Sequence, residues 1–196
     1  MNLNVPYRRQ QTETSCFPAC IRMILRYYGD DIDEKQLNKE GHNSHHEKNY
    51  DMRRDIIFAK ILQKKRYHVT TYWNGVIEGW ELPQHRHESY KKEYEDAIQK
   101  KIIIHKRNAT LTTIQNYINK GVPVIAEKIH HALHYGKRKT WNHIVIITGY
   151  TKKYFFLHDP DKWEGEKHKK ITKKEFTKNW EKLSPKSGKM LYIIEK

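Results

Sequence analysis

Residues 15–28 read SCFPACIRMILRYY and run into Gly29. Ile21, Ile24, Leu25 and Tyr28 recur at i, i+3, i+4 and i+7, the spacing that lines one face of an α-helix. Ser15 stands where an N-cap hydroxyl belongs, Pro18 suits a first turn, and Gly29 sits where a C′ glycine ends a helix. The pattern predicts a buried helix with Cys16 at its start. Cys20, one turn along, shares the inward side with Ile24.

Outward from this helix, residues 3–8 (LNVPYR) read as a short extended entry segment. Residues 30–49 are polar and predict a loop around a short helix at 33–39. A helix over 50–65 would bury Ile56, Ile57 and Ile61, and 67–73 (YHVTTYW) reads as a strand. Residues 74–89 read as loop, and 89–102 as a charged helix with Tyr90, Tyr94 and Ile98 four apart. A short apolar run, Ile102 to Ile104, follows. Residues 110–119 predict a helix, 122–127 (VPVIAE) a strand and 129–140 a loop. Residues 143–148 (HIVIIT) and 154–158 (YFFLH) flank Gly149 and a polar turn. Continuous apolar runs of this kind mark central strands buried on both faces. A last helix at 172–182 and a last strand at 190–194 complete the chain. A helix-rich first half followed by a strand-rich second half argues an α+β fold in one domain over 1–196.

The bulk composition narrows the class. The 196 residues carry a net charge of +15, and hydrophobic residues make up only 37%. Thirteen Tyr, five Trp and five Phe supply large buried areas, so a packed core is expected. A charge of that size raises the question of an anionic partner. The lysines are nevertheless spread from end to end, with no Arg-rich arm, zinc finger or RNA-binding motif. A solubilising surface is favoured, and nucleic acid stays an open but unfavoured partner. Cys16 and Cys20 are the only thiols and do not make a disulfide framework. MNLNVPYRRQ has no apolar core of a signal peptide, and no run approaches a membrane span. The expectation is a cytoplasmic location without membrane contact. Histidines cluster at His45-His46 and at His130, His131 and His134, but no Cys or carboxylate spacing completes a metal site, so no metal or other cofactor is expected.

Thiol catalysis needs a thiolate, a proton acceptor beside it, a group to orient that acceptor, and donors for an oxyanion. The positive end of a helix lowers the pKa of a thiol placed where Cys16 stands. Gln10, six residues before it, can fold its amide back toward the thiol, with Gln11 as the adjacent alternative. His143 opens one buried strand and Asp159 closes its hairpin partner, so the carboxylate can orient the imidazole. Taken singly, each has a structural reading: a packed Cys, a strand-edge His, an Asp-Pro turn. It is their combination and order that point to catalysis.

The segments 5–29 (VPYRRQQTETSCFPACIRMILRYYG), 113–127 (TIQNYINKGVPVIAE) and 142–160 (NHIVIITGYTKKYFFLHDP) resemble the bacteriocin-processing, double-glycine-leader peptidases and their free-standing relatives. The tail over 171–196 is similar to that family's helix-plus-strand ending. The resemblance implies a papain-like cysteine peptidase fold, with a helical half bearing the nucleophile and an antiparallel sheet half. It implies Cys16 as nucleophile, His143 as base, Asp159 as orienting acid and Gln10 as oxyanion donor. Residues 74–108 look like an insertion. The chain departs from the family at Phe17, where glycine usually follows the nucleophile; the ring is expected to narrow the cleft.

The expected function is hydrolysis of peptide bonds through an acyl-enzyme, with a peptide or protein as substrate. Two alternatives stay open. One is another acyl transfer on the same triad, of transglutaminase, deamidase or transpeptidase type. The other is a non-catalytic basic binding module on the same scaffold. Neither the substrate nor the oligomeric state is legible.

Overall fold

In the computed structural model the residues described are 1–41, 54–73, 84–134, 137–181 and 189–196. The expected first helix is present as α1 (Cys16–Tyr27), and its end follows from Gly29. Gly29 takes φ +86°, its N–H bonds Arg26 O at 3.1 Å, and Asp30 N–H bonds Leu25 O at 2.9 Å. That pair of bonds satisfies the last helical carbonyls and needs a left-handed residue between them. The start differs from expectation. Ser15 occupies the N-cap position, but its hydroxyl does not cap. A capping oxygen accepts from the N2 or N3 amide, and Pro18 at N3 has no N–H. The Ser15 hydroxyl instead bonds the Glu34 carboxylate at 2.5 Å and receives Thr12 N–H at 3.0 Å.

The remaining elements are α2 (Glu34–Glu40), α3 (Arg54–Lys64), β1 (His68–Trp73), α4 (Gln84–Gln99), β2 (Ile104–Lys106), α5 (Leu111–Asn119), β3 (Val124–His134), β4 (Lys137–Tyr150), β5 (Tyr154–His158), β6 (Lys169–Thr172), α6 (Lys173–Glu181) and β7 (Met190–Glu195). The α+β expectation holds. Among the described residues, seven strands form one sheet in the order β2-β1-β7-β3-β4-β5-β6. Two of them, β1 and β2, come from the helical half and pair in parallel, while the other neighbours are antiparallel. The last strand enters the middle of the sheet. β7 pairs with β1 from His68↔Glu195 to Trp73↔Met190, and with β3 on its other side.

Three local expectations need correction. Residues 129–140 are not a loop, because the β3–β4 ladder continues from Val124↔Ile147 out to His134↔Lys137. A two-stranded ribbon needs backbone pairing but no buried face, so its polar sequence gives no apolar signal. The charged helix lies at Gln84–Gln99, and the chain turns through Lys101 at φ +53° before β2. β6 was not expected: its four residues, KKIT, form a short lysine-bearing strand at the edge of the sheet, where such charge discourages further pairing. The loop expected over 74–89 lies outside the described residues as far as 83, as does the polar stretch from 42.

Helix α1 packs on β4, α3 on β1, α5 on β3 and β4, and α6 on β3, β5 and β6. Phe17 ties three of these units together. Its buried ring meets Phe58 of α3 edge-on at 5.3 Å and Tyr192 of β7 at 5.0 Å. The Tyr192 hydroxyl in turn donates to Asp55 O at 3.1 Å. Phe17→Ala removes the ring shared by α1, α3 and β7, and should cost about 3–5 kcal/mol. Urea unfolding should show this as a lower midpoint at unchanged slope.

Candidate active site

The β4–β5 register brings the expected pair together. Ile146 lies opposite His158, so His143, earlier on β4, and Asp159, just past β5, emerge at the same end of the hairpin. His143 Nε2 meets Asp159 Oδ1 at 2.7 Å, with both side chains buried. Cys16, half-buried at the first position of α1, is carried to this end by the packing of α1 on β4. Its thiol shares a hydrogen bond with His143. Since Asp159 takes Nε2, Nδ1 is the ring atom left for the sulfur. Burial alone would disfavour the imidazolium, but the bonds to Asp159 and Cys16 outweigh it and lift His143 to about 9. Both contacts favour the protonated form of the ring. Cys20 lies deeper, with its Sγ 3.7 Å from Ile144 O, and burial pushes its thiol well up.

The loop that carries Asp159 is tightly folded. Asp159 exchanges backbone hydrogen bonds with Glu166 at 3.0 and 3.1 Å, and its Oδ1 also accepts Asp161 N–H at 3.2 Å. Only glycine fits at 165, because a Cβ there would lie 2.1 Å from Asp161 O and 2.7 Å from Asp159 O. The entry segment is laced onto this loop. Gln10 N–H donates to Pro160 O at 2.7 Å, the Tyr7 hydroxyl to Asp159 O at 3.0 Å, and the Arg9 guanidinium to Gly165 O at 3.0 Å.

The Gln10 side chain is buried, whereas Gln11 is exposed. Its amide is not turned to Cys16 or His143. Nε2 donates within its own loop, to Thr12 O at 2.9 Å and Glu13 O at 3.1 Å. Its Oε1 is buried without a hydrogen-bond partner. Three members of the expected quartet thus converge, and the fourth lies in the adjoining loop with its donors engaged. Phe17 does not narrow a cleft, since its ring is directed into the core.

Three further residues were not found by reading the sequence. Glu34 is buried, and its Oε1 accepts from Ser15 Oγ and from Gln11 N–H at 2.7 Å. Burial raises its carboxyl despite those bonds. Lys169 places Nζ 3.6 Å from Asp159 Oδ2. His158 bonds Val5 O through Nε2 at 2.9 Å and accepts His168 N–H at Nδ1 at 3.1 Å. Only the last had a signal, a histidine ending an apolar strand. Among the described residues no group of three or more His, Cys, Asp or Glu is arranged to hold a metal ion. His45 and His46 lie outside the described residues, as do the side chains of His130, His131 and His134. Among the described residues, too, no helix is long and apolar enough to cross a membrane.

The sheet order and a cysteine helix abutting a His–Asp hairpin define a papain-like cysteine peptidase fold. The chain belongs to the Peptidase_C39 like family, which it matches over residues 2–187. A structure from Bacillus anthracis described as a C39-like peptidase has 13% identity and a TM-score of 0.58, covering 100% of this chain and 98% of that one. The peptidase domain of Streptococcus ComA, a bi-functional ABC transporter of a quorum sensing pathway, has 12% identity and a TM-score of 0.55. It covers 99% of this chain and 97% of that one. A double glycine motif protease from an AMS/PCAT transporter, in complex with the leader peptide, has 18% identity and a TM-score of 0.51, covering 100% and 94%. Among curated proteins no match is found.

The His158 contacts carry a pH dependence of stability. Burial lowers this ring to about 4, and the His168 amide holds it in the neutral form. The unfolded chain takes up a proton below about pH 6.5 that the folded chain refuses. Stability is therefore full above that pH and falls by up to ~3 kcal/mol as the pH drops toward 4. His158→Gln should show a shallower decline between pH 7.5 and 4.5 in urea unfolding; an equal decline would exclude this source.

Proposed function

We propose that the protein is a thiol hydrolase that cleaves peptide bonds through Cys16, His143 and Asp159. The observation that carries the reading is the buried 2.7 Å contact of Asp159 with His143 Nε2, which leaves the other ring nitrogen to the Cys16 thiol. Asp159 fixes the imidazole, and the imidazolium supports the thiolate. The sulfur attacks the scissile carbonyl carbon, and the C=O π pair moves onto oxygen. His143 protonates the departing amine, then removes a proton from the water that hydrolyses the thioester. The oxyanion is held by the Cys16 backbone N–H and by the Gln10 amide, once one of its hydrogens leaves the Thr12 or Glu13 carbonyl. The relative bound to a leader peptide supports a peptide as substrate here. Two cysteines that form no disulfide suit a reducing compartment such as the cytoplasm.

Incubation with a diverse peptide library, read by mass spectrometry, tests this function. Hydrolysed products should appear and vanish in Cys16→Ala with folding kept. Products joined to an added amine would mark the acyl-transfer alternative, and no products with salt-sensitive binding of DNA would mark the basic module. Gln10→Glu removes the amide donors and should lower kcat by roughly 10²-fold. The activity should also have an alkaline limit. His143 is raised, so its cation and the stability it brings are present below the ordinary histidine range and are lost as the pH rises through about 9. A kcat/KM profile should fall there. A profile flat to pH 10.5 would contradict the ion pair.

A further inference from the structure

Asp159 has a second charged neighbour. Its Oδ1 takes His143 at 2.7 Å and Asp161 N–H at 3.2 Å, while its Oδ2 lies 3.6 Å from Lys169 Nζ. Lys169 opens β6 opposite Leu157, two residues before Asp159, so the β5–β6 register brings its side chain to the carboxylate. The carboxylate is fully buried, and the lysine remains about one-third exposed. A buried carboxylate is costly unless charge and hydrogen bonds surround it. Here one cation lies on each side of it.

We propose that Lys169 is a positioning residue that shares the Asp159 carboxylate with His143 and so sets the alkaline limit of the Cys16–His143 pair. The proposal rests on the triad reading. The ammonium acts in two ways. It holds Oδ2, which leaves Oδ1 aimed at the imidazole. It also repels the imidazolium across the shared carboxylate, so His143 releases its proton at lower pH than it would beside Asp159 alone. Cys16 from α1 and Asp159 from the loop after β5 act on the ring itself, while Asp161 of the same loop and Lys169 of β6 adjoin the carboxylate. Lys128 is the β3 register partner, and Tyr7 of the entry segment bonds the Asp159 carbonyl. Lys169 brings its cation to 3.6 Å from the carboxylate.

Lys169→Met removes the charge and keeps the stem, whereas Lys169→Arg keeps the charge. The His143 titration is read by NMR of histidine-labelled full-length chain, with the signal assigned by its loss in His143→Gln. Its midpoint should move up by roughly 0.5–1 pH unit in Lys169→Met, a size set by two like charges a few ångströms apart and partly screened. Lys169→Arg should leave it in place, and the alkaline limb of kcat/KM should move in parallel. An unchanged or lower midpoint in Lys169→Met overturns the proposal, as does an equal shift in Lys169→Arg. Lys169→Gln supplies a second neutral variant should the Met chain fold poorly. The NMR reading needs no substrate. If no peptide is hydrolysed, the triad reading fails while the electrostatic role of Lys169 is still decided.

Discussion

A buried carboxylate against a buried imidazole is the constraint on which the rest of this structure depends. Neither group is tolerable alone in the interior, since an unpaired buried charge or donor costs several times what a surface one does. The 2.7 Å contact satisfies both, but only while β4 and β5 keep their register. A slip by one residue would turn His143 to the other face of its strand. The register is secured beyond the hairpin itself. The β-bulge between Ile147 and Gly149 admits the chain start, with Leu3 N–H on Thr148 O and Tyr150 N–H on Met1 O. Gly149 is required there, because a Cβ would come within 2.5 Å of Met1 O.

The same economy links the two halves of the site. The entry segment bonds the loop after β5 through Tyr7, Arg9 and the Gln10 backbone, so the segment leading into Cys16 and the loop bearing Asp159 form one unit. His158 joins that unit from below through Val5 O. A displacement of either strand end would be felt at the sulfur through main-chain bonds as well as through the triad contact. Site geometry of this kind is held best by groups whose own positions are already fixed.

The parts of the fold legible in the sequence were those governed by apolar spacing. Helix α1, strands β4 and β5 and the closing strand β7 each announce themselves by a stripe or a run; Cys16 and Asp159 lie at the ends of two of these, whereas His143 starts the apolar run of β4 but stands well inside the strand. Chain order then allowed these three residues to be grouped before any distance was known. What stayed hidden depends on pairing between residues distant in the chain. β6 is too short and too charged to stand out, and the outer β3–β4 ribbon has a polar sequence. Lys169 and Glu34 look like any charged surface residue until the register and the α1–α2 contact place them beside a carboxylate and a hydroxyl. The Gln10 amide was legible in position but not in orientation, because its partners are carbonyls of its own loop.

Ser15 and Pro18 show how local rules give way at this site. A serine before a helix ordinarily caps it, and the sequence carries that signal. Proline at N3 removes the amide the hydroxyl would have capped, which releases Ser15 for Glu34. Glu34 then holds both the residue before Cys16 and the backbone of Gln11, from the first turn of a different helix. The helix start keeps the Cys16 thiol at the positive end of the dipole, without a side-chain cap hydrogen bond from Ser15. In place of the cap bond, Ser15 bonds a buried carboxylate farther back, at the start of α2.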